Sequence, residues 1–453
     1  MNKALSSLLI LTTLLLISCT SKAEKIQNKK EINNRKFASY AQSYILESQK
    51  KNQEILDKYL KECPLEIKIA QLFVENLEGN KKFRSYETFK EITEGKGKIH
   101  PSTPLIAGGY LFFSYNLADN TKDIMKFTDS IRDYCVKNNI IPPFLTIDQE
   151  GGFVNRLRVV AGPLPSCQRV SQCLTVQQAY ELYSLQAIQM AALGFNMNLA
   201  PVIETCTEKN KIFLNGRSFG STENVINYGT AAVNAFQNNN IASVIKHFPG
   251  NTNTDPHTGL PEIDVTPAEL EEMLYPFVQI MKNNPVSVLM SHARTSIVDK
   301  DVPACLSTKW VNEILRGTYG YEGIIFSDDI FMAALAKLGY PPEVASVRAI
   351  EVGVDCIMIS EKRFANAAAA IIKEALREPA FEAKINKSVK RILKYKLQCG
   401  LLKYVNNEYG SFSIEFNNPF ENVNTREAIF NSARRKNIDL YIDYFTIPSK
   451  VKL

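Results

Sequence analysis

Six polar clusters close six short apolar runs of the chain: Asp148-Gln149-Glu150, Glu204, Lys246-His247, Ser291-His292, Ser327-Asp328-Asp329 and Ser360-Glu361. Carboxylates and imidazoles move protons and attack electrophilic carbon, and lysine holds hydroxyls and anions. Taken singly, each cluster is an ordinary strand terminus. Gathered on one face, they are what the cleavage of a glycosidic bond needs. The chain has only four histidines. Two of them, His247 and His257, fall in the single stretch KHFPGNTNTDPHTGLP that begins at Lys246.

The apolar runs must do the gathering. They are AQLFVEN from Ala70, GGYLFF from Gly108, PPFLTID from Pro142, FNMNLAPV from Phe195, IASVIKH from Ile241, VSVLMSH from Val286, EGIIFSD from Glu322 and VDCIMIS from Val354. Their bulky and β-branched composition suits strands buried on both faces of a parallel sheet. Amphipathic helical patterns alternate with them, such as TKDIMKFTDSIRDYCVKN, TVQQAYELYSLQAIQMAAL and SVKRILKYKLQCGLL. Thr266-Pro267-Ala268-Glu269 is a helix start, with a capping threonine, proline in the first turn and glutamate closing the capping box. Strand and helix in alternation call for a parallel sheet with right-handed crossovers. Eight such runs predict an α/β protein built as a (β/α)8 TIM barrel, whose sites lie where strands end. A doubly wound open sheet is the alternative, but its phosphate-binding glycine turn is missing.

Composition narrows the functions. Lys and Arg number 53 against 47 Asp and Glu, too small an excess to argue for nucleic acid as a partner. No zinc-type Cys/His spacing and no phosphate-cradling loop occurs; proton transfer and a carboxylate nucleophile suffice for glycosidic cleavage, so no metal or organic cofactor is implied. The first residues, MNKALSSLLILTTLLLISCTSK, have a positive start and an apolar run too short to span a bilayer comfortably. The run ends in Leu16-Ile17-Ser18-Cys19, which resembles the lipobox of bacterial lipoproteins. The implied plan is a signal peptide over 1–18, a lipidated Cys19 with a polar tether over 19–36, a barrel domain over 37–402 and an extension over 403–453. It implies an extracytoplasmic protein held to a membrane by its lipid. Among the other eight cysteines, Cys135, Cys305 and Cys356 fall in apolar contexts and read as buried thiols, whereas Cys167 and Cys173 read as a loop pair open to oxidation.

Four ordered motifs carry a family resemblance: IDQEGGFVNRLR from Ile147, NGRSFG from Asn215, the stretch from Lys246, and GIIFSDDIFMAAL from Gly323. Together with weaker matches they span roughly residues 60–402. They resemble glycoside hydrolase family 3, in its bacterial β-N-acetylglucosaminidase subgroup. The resemblance implies a retaining exo-β-N-acetylglucosaminidase acting on peptidoglycan- or chitin-derived glycans. It makes Asp328 the nucleophile that forms a glycosyl-enzyme, and leaves Asp329, on the opposite side of an extended segment, outside the reaction. It makes His257 the acid/base, oriented by Asp255. It gives Asp148, Arg156, Arg217, Lys246 and His247 to substrate binding; for Arg156 and Arg217 an ion pair with strand-end carboxylates is the alternative. His292 is either a packing group or a substrate contact.

The sequence departs from the family pattern at four places. Phe153 stands where Arg is usual, Glu204 where Asp is usual, and Pro256 where Ser is common; the loop NTNTDPH is about two residues shorter. REAIFNSARRKNIDLYI, near the end, resembles the start of a second domain that many relatives carry. A family 3 β-glucosidase is the competing enzyme reading, against which the Asp-x-His segment argues. A glycan-binding lipoprotein without activity is the non-enzymatic one. Oligomeric state is not legible.

Overall fold

The computed structural model describes residues 52–93, 99–254, 259–406, 412–416 and 422–446. The leader, Cys19, the tether, Asp255 and His257 lie outside the described residues. The chain divides into two compact units, Met1–Lys58 and Tyr59–Leu453. Only 52–58, all helical, is described in the first. The sheet and all the polar clusters belong to the second.

All eight apolar runs form strands: β1 (Phe73–Asn76), β2 (Gly109–Phe112), β3 (Phe144–Ile147), β4 (Met197–Asn198), β5 (Ala242–Phe248), β6 (Ser287–Met290), β7 (Ile324–Phe326) and β8 (Ile357–Ile359). They pair in parallel in the order β7-β6-β5-β4-β3-β2-β1-β8, so chain order is spatial order apart from the wrap. A bridge between Phe326 and Cys356 joins β7 to the run into β8 and closes the ring. The expected (β/α)8 barrel is therefore the fold. Every residue of these strands is buried, as a sheet walled by side chains inside and helices outside requires.

The longer helices are α1 (Thr121–Lys137), α2 (Val176–Leu193), α3 (Thr222–Asn238), α4 (Pro267–Met281), α5 (Pro342–Val352), α6 (Ala365–Arg377), α7 (Pro379–Gln398) and α8 (Val423–Tyr441). At α4 the capping box forms as its sequence predicts. Thr266 Oγ1 accepts from the Glu269 amide at 3.3 Å, and Glu269 Oε2 accepts from the Thr266 amide at 2.7 Å. Between β5 and its cover, Phe248 meets Phe277 and Trp310 edge-on at 5.3 and 5.6 Å. After α7 the hairpin Leu402–Asn406 with Phe412–Phe416 leads to α8, which lies along α1 and α2. Arg426 of α8 grips both oxygens of Asp129 in α1 at 2.8 Å. Among the described residues no helix is long and apolar enough to cross a membrane.

One cysteine expectation needs correction. Cys167 and Cys173 are not a loop pair: they are the first and last residues of a short helix, and both are free thiols. Ser166 caps that helix by accepting from the Arg169 amide, so the polar stretch read as a loop is a helix start. Cys135, Cys305 and Cys356 are buried thiols, as read.

The end of the barrel opposite the site is fixed by charge. Asp355, wholly buried, accepts from the Ile325 amide at 2.9 Å, from Arg316 at 2.6 Å and from Arg391 at 3.0 Å. Replacing Asp355 by Ala leaves two guanidinium groups without their carboxylate. Breaking a buried pair in this way costs about 3–5 kcal/mol. Denaturant unfolding followed by the emission of Trp310, the one tryptophan of the chain, should show that loss. A variant as stable as wild type would mean the three groups contribute nothing net.

Candidate active site

The site is assembled at the C-terminal ends of the strands. Asp148 follows β3 directly, and the chain then doubles back in a tight hairpin, Gln149–Gly151 against Val154–Asn155. Gly151 turns with φ +106°, and a Cβ there would stand 2.2 Å from the Pro165 carbonyl oxygen. Only glycine fits such a turn. Asn198, the last residue of β4, clasps the Gln149 peptide from both sides, accepting its N–H at 3.0 Å and donating to its carbonyl at 3.1 Å.

Five predicted residues converge on one region. Lys246 of β5 places its ammonium 2.8 Å from Asp148 Oδ1 and 2.7 Å from Glu150 Oε1. Arg217 closes a two-pronged grip on Glu150 at 2.7 and 2.8 Å. Arg156 faces Asp148 at 3.8 Å and lies over the ring of Phe113. Arg217 thus forms the ion pair that was the alternative to substrate contact, while Arg156 stays at salt-bridge range from the carboxylate. Burial alone would raise the Glu150 carboxyl, but Lys246 and Arg217 overcome it and hold it well below the usual carboxylate range. Burial would likewise lower the Lys246 ammonium; Asp148 and Glu150 reverse that and raise it.

The fifth residue, His247, belongs to a group around Glu204, itself buried. His247 Nδ1 is 2.7 Å from Glu204 Oε1, and Oε2 accepts the Asn251 amide at 2.7 Å. The ring of His247 stands edge-on to Phe213 at 5.8 Å, and Phe213 also lies under the Arg217 guanidinium. Beside Glu204 and Asn251 opens a hollow of about 720 Å³, bounded also by Asn253, Asp264 and Met273. Asp148, Arg156, Lys246 and Asp328 do not line it.

The aspartates after β7 have different surroundings. Asp329 Oδ1 accepts from the amides of Phe331 and Ser360, both at 3.0 Å. It fastens the turn after β7 to the end of β8. Asp328 Oδ1 accepts only the Asp329 amide, at 2.9 Å, and among the described residues Oδ2 has no partner. His292 buttresses this turn. Its Nε2 donates to the Asp329 carbonyl at 2.9 Å, so Nδ1 is left to accept from the Cys305 thiol at 3.1 Å. Burial first, and then the charge of Asp328, push the Cys305 thiol up, keeping it a donor. His292 is therefore a packing and positioning group. Ser360 and Glu361 of the expected ring are exposed.

Sequence reading missed Asn251, Phe213 and Cys305. Phe213 had a signal, since it precedes the NGRSFG motif by two residues; Cys305 had none, because only folding brings it to His292.

A parallel barrel with carboxylates, imidazoles and cations ringed at its strand ends has the groups that glycosidic cleavage needs. The model of the glycosyl hydrolase family 3 N terminal domain matches residues 65–395, and the chain belongs to that family. It is 33% identical over 271 residues to a beta-hexosaminidase of Haemophilus influenzae, covering 58% of this chain and 74% of that one. It is 28% identical over 293 residues to the beta-hexosaminidase LpqI of Mycobacterium tuberculosis, covering 62% and 74%. Against beta-hexosaminidase A of Pseudoalteromonas piscicida, 29% identical, it spans only 45% of the relative's length. Among solved structures, a family 3 beta-N-acetylglucosaminidase from Paenibacillus sp. str. FPU-7 superposes with a TM-score of 0.65 at 26% identity, over 82% of this chain and 68% of that one.

The cluster predicts a pH dependence of stability. The folded Glu150 carboxyl lies below its unfolded value of 4.5. Its contribution is complete above that pH and is lost as pH falls below it. Arg217→Met should cost about 3–5 kcal/mol at neutral pH. It should also flatten the acid-side loss, because the folded carboxyl returns toward its unfolded value. Denaturation at pH 7 and pH 4 measures both; equal stability of variant and wild type at pH 7 would refute the argument.

Proposed function

We propose that this chain is a retaining, exo-acting β-N-acetylhexosaminidase that removes terminal N-acetyl-β-glucosamine from peptidoglycan- or chitin-derived oligosaccharides. The observation that carries the reading is the division of labour after β7. Asp329 is committed to two backbone amides, while Asp328 keeps one carboxylate oxygen without a partner among the described residues. Asp328 attacks the anomeric carbon as the bond to the leaving oxygen breaks, giving a covalent glycosyl-enzyme. His257, oriented by Asp255, delivers a proton to that oxygen. It then takes one from the water that releases the sugar and frees Asp328. Asp148, Arg156, Lys246 and His247 hold the terminal sugar, and Arg217 braces them through Glu150. The names of the relatives support the N-acetylhexosamine specificity, and the Asp-x-His segment supports it over a β-glucosidase.

Purified protein should cleave 4-nitrophenyl N-acetyl-β-glucosaminide in preference to the matching glucoside. The reverse preference would establish the glucosidase, and binding without turnover the non-catalytic reading. Asp328→Ala should abolish turnover, and a fluorinated slow substrate should leave its adduct on Asp328; an adduct mapped elsewhere rejects the nucleophile. Asp329→Ala should lose stability while retaining measurable turnover. His257→Ala should lose about 10²–10⁴-fold on substrates with poor leaving groups and less on nitrophenyl glycosides.

The same proposal places the protein outside the cytoplasm, tethered to a membrane by lipid on Cys19. Wild type should incorporate labelled palmitate, and Cys19→Ala should not. Label retained by the variant would refute the anchor.

A further inference from the structure

The helix that follows the barrel reaches the sugar-holding loop through a chain of buried carboxamides. Gln149, Gln186, Gln189 and Asn437 all have no solvent exposure. The Nε2 of Gln149 donates to Gln186 Oε1 at 3.2 Å. Nε2 of Gln186 donates to Asn437 Oδ1 at 2.7 Å, and Nδ2 of Asn437 donates to the Pro163 carbonyl at 3.1 Å. Gln189 supports the same junction, donating to Asn437 Oδ1 at 3.3 Å and accepting the Gly162 amide at 2.7 Å. The chain is directional: each amide gives its N–H to the oxygen of the next, and the last ends on backbone. These groups are shielded from solvent, so turning one amide over leaves its neighbours unsatisfied.

Both ends of the chain lie in one loop. At the far end, Gly162 comes so near α8 that a Cβ on it would stand 2.0 Å from Asn437 Oδ1. At the near end, the Gln149 side chain accepts the Leu157 amide at 3.1 Å and donates to Asn155 Oδ1 at 2.9 Å. Asn155 and Leu157 flank Arg156, whose guanidinium faces Asp148. We propose that Asn437 of the C-terminal helix is a positioning residue for the substrate loop 148–163, fixing Arg156 against Asp148 through Gln186 and Gln149. The proposal rests on the reading of Asp148 and Arg156 as sugar-holding groups. It makes the extension after the barrel part of the site's support.

The test uses the full chain with Asn437→Leu, Gln186→Leu and their double variant, and Arg426→Ala as a control that loosens α8 away from the amides. Hydrogen exchange of the segment 152–162 and the KM and kcat for 4-nitrophenyl N-acetyl-β-glucosaminide are measured for each folded protein. Asn437→Leu should speed exchange in 152–162 and raise KM about 3- to 10-fold with kcat nearly unchanged, the loss of one buried hydrogen-bond junction read as binding. Gln186→Leu should do the same, and the double variant should add little, because both cut one chain. Should Asn437→Leu not fold, Gln186→Leu alone carries the comparison. Arg426→Ala should lower Tm without either change. Unaltered exchange in 152–162, or equal loosening of that segment by Arg426→Ala, would overturn the proposal. Exchange does not depend on turnover, so an inactive protein whose loop still loosens refutes the hexosaminidase reading and not the coupling.

Discussion

The ammonium of Lys246 holds the top of the barrel together. Carrying charges into a buried site costs several kcal/mol for each ion, and only close, fully bonded partners offset it. Here one cation from β5 spans two carboxylates that follow β3, and Arg217, from the loop before α3, closes the second of them. The strand between β3 and β5 is the weakest part of the wall. β4 is only two residues long, and its ladder to either neighbour covers just Met197 and Asn198. Above that level the sheet continues as a bridge from Val202 to Lys246 and as the ion cluster. The same charges to which we assign the sugar therefore also complete the barrel wall. This is why Glu150 is the more buried carboxylate, fully paired, and Asp148 keeps an edge open toward Arg156.

The turn after β7 solves a different problem, placing one carboxylate while using up its neighbour. Successive side chains on extended backbone point apart, so two neighbouring aspartates here have separate tasks. Asp329 has it in the two amides it binds. From behind, His292 holds the carbonyl of the same residue, and the donor on its other face is a thiol kept protonated by burial.

The barrel was legible because parallel strands covered on both faces must be continuous apolar runs, and all eight stood out. So did Asp148, Lys246 and His247 at the strand ends, whereas Arg156 and Arg217, well beyond β3 and β4, were reached only through the motifs that carry the family resemblance. What was not legible depends on neighbours distant in sequence. Nothing near Cys305 says that it meets His292, and nothing in the polar loop before Cys167 says that it starts a helix until Ser166 is seen capping it. Gln149 read as part of a catalytic ring, yet its side chain points into the protein and binds Asn155, Leu157 and Gln186. A glutamine with donors and acceptor on one small group gives no sign from sequence of which side it serves.

Glu204 joins two parts of the chain at the end of the barrel. Both carboxylate oxygens are engaged at 2.7 Å, one by His247 Nδ1 and the other by the amide of Asn251, in the loop after β5. The Asn251 side chain adds a third contact at 3.3 Å. An aspartate from the same backbone position would end one methylene short, about 1.5 Å, and would have to leave either the imidazole or the loop. A buried carboxylate that loses one of its donors bears the full desolvation cost of that oxygen. Glu204 thus joins the imidazole of His247 to the backbone at Asn251, and the length of its side chain is what lets one carboxylate serve both.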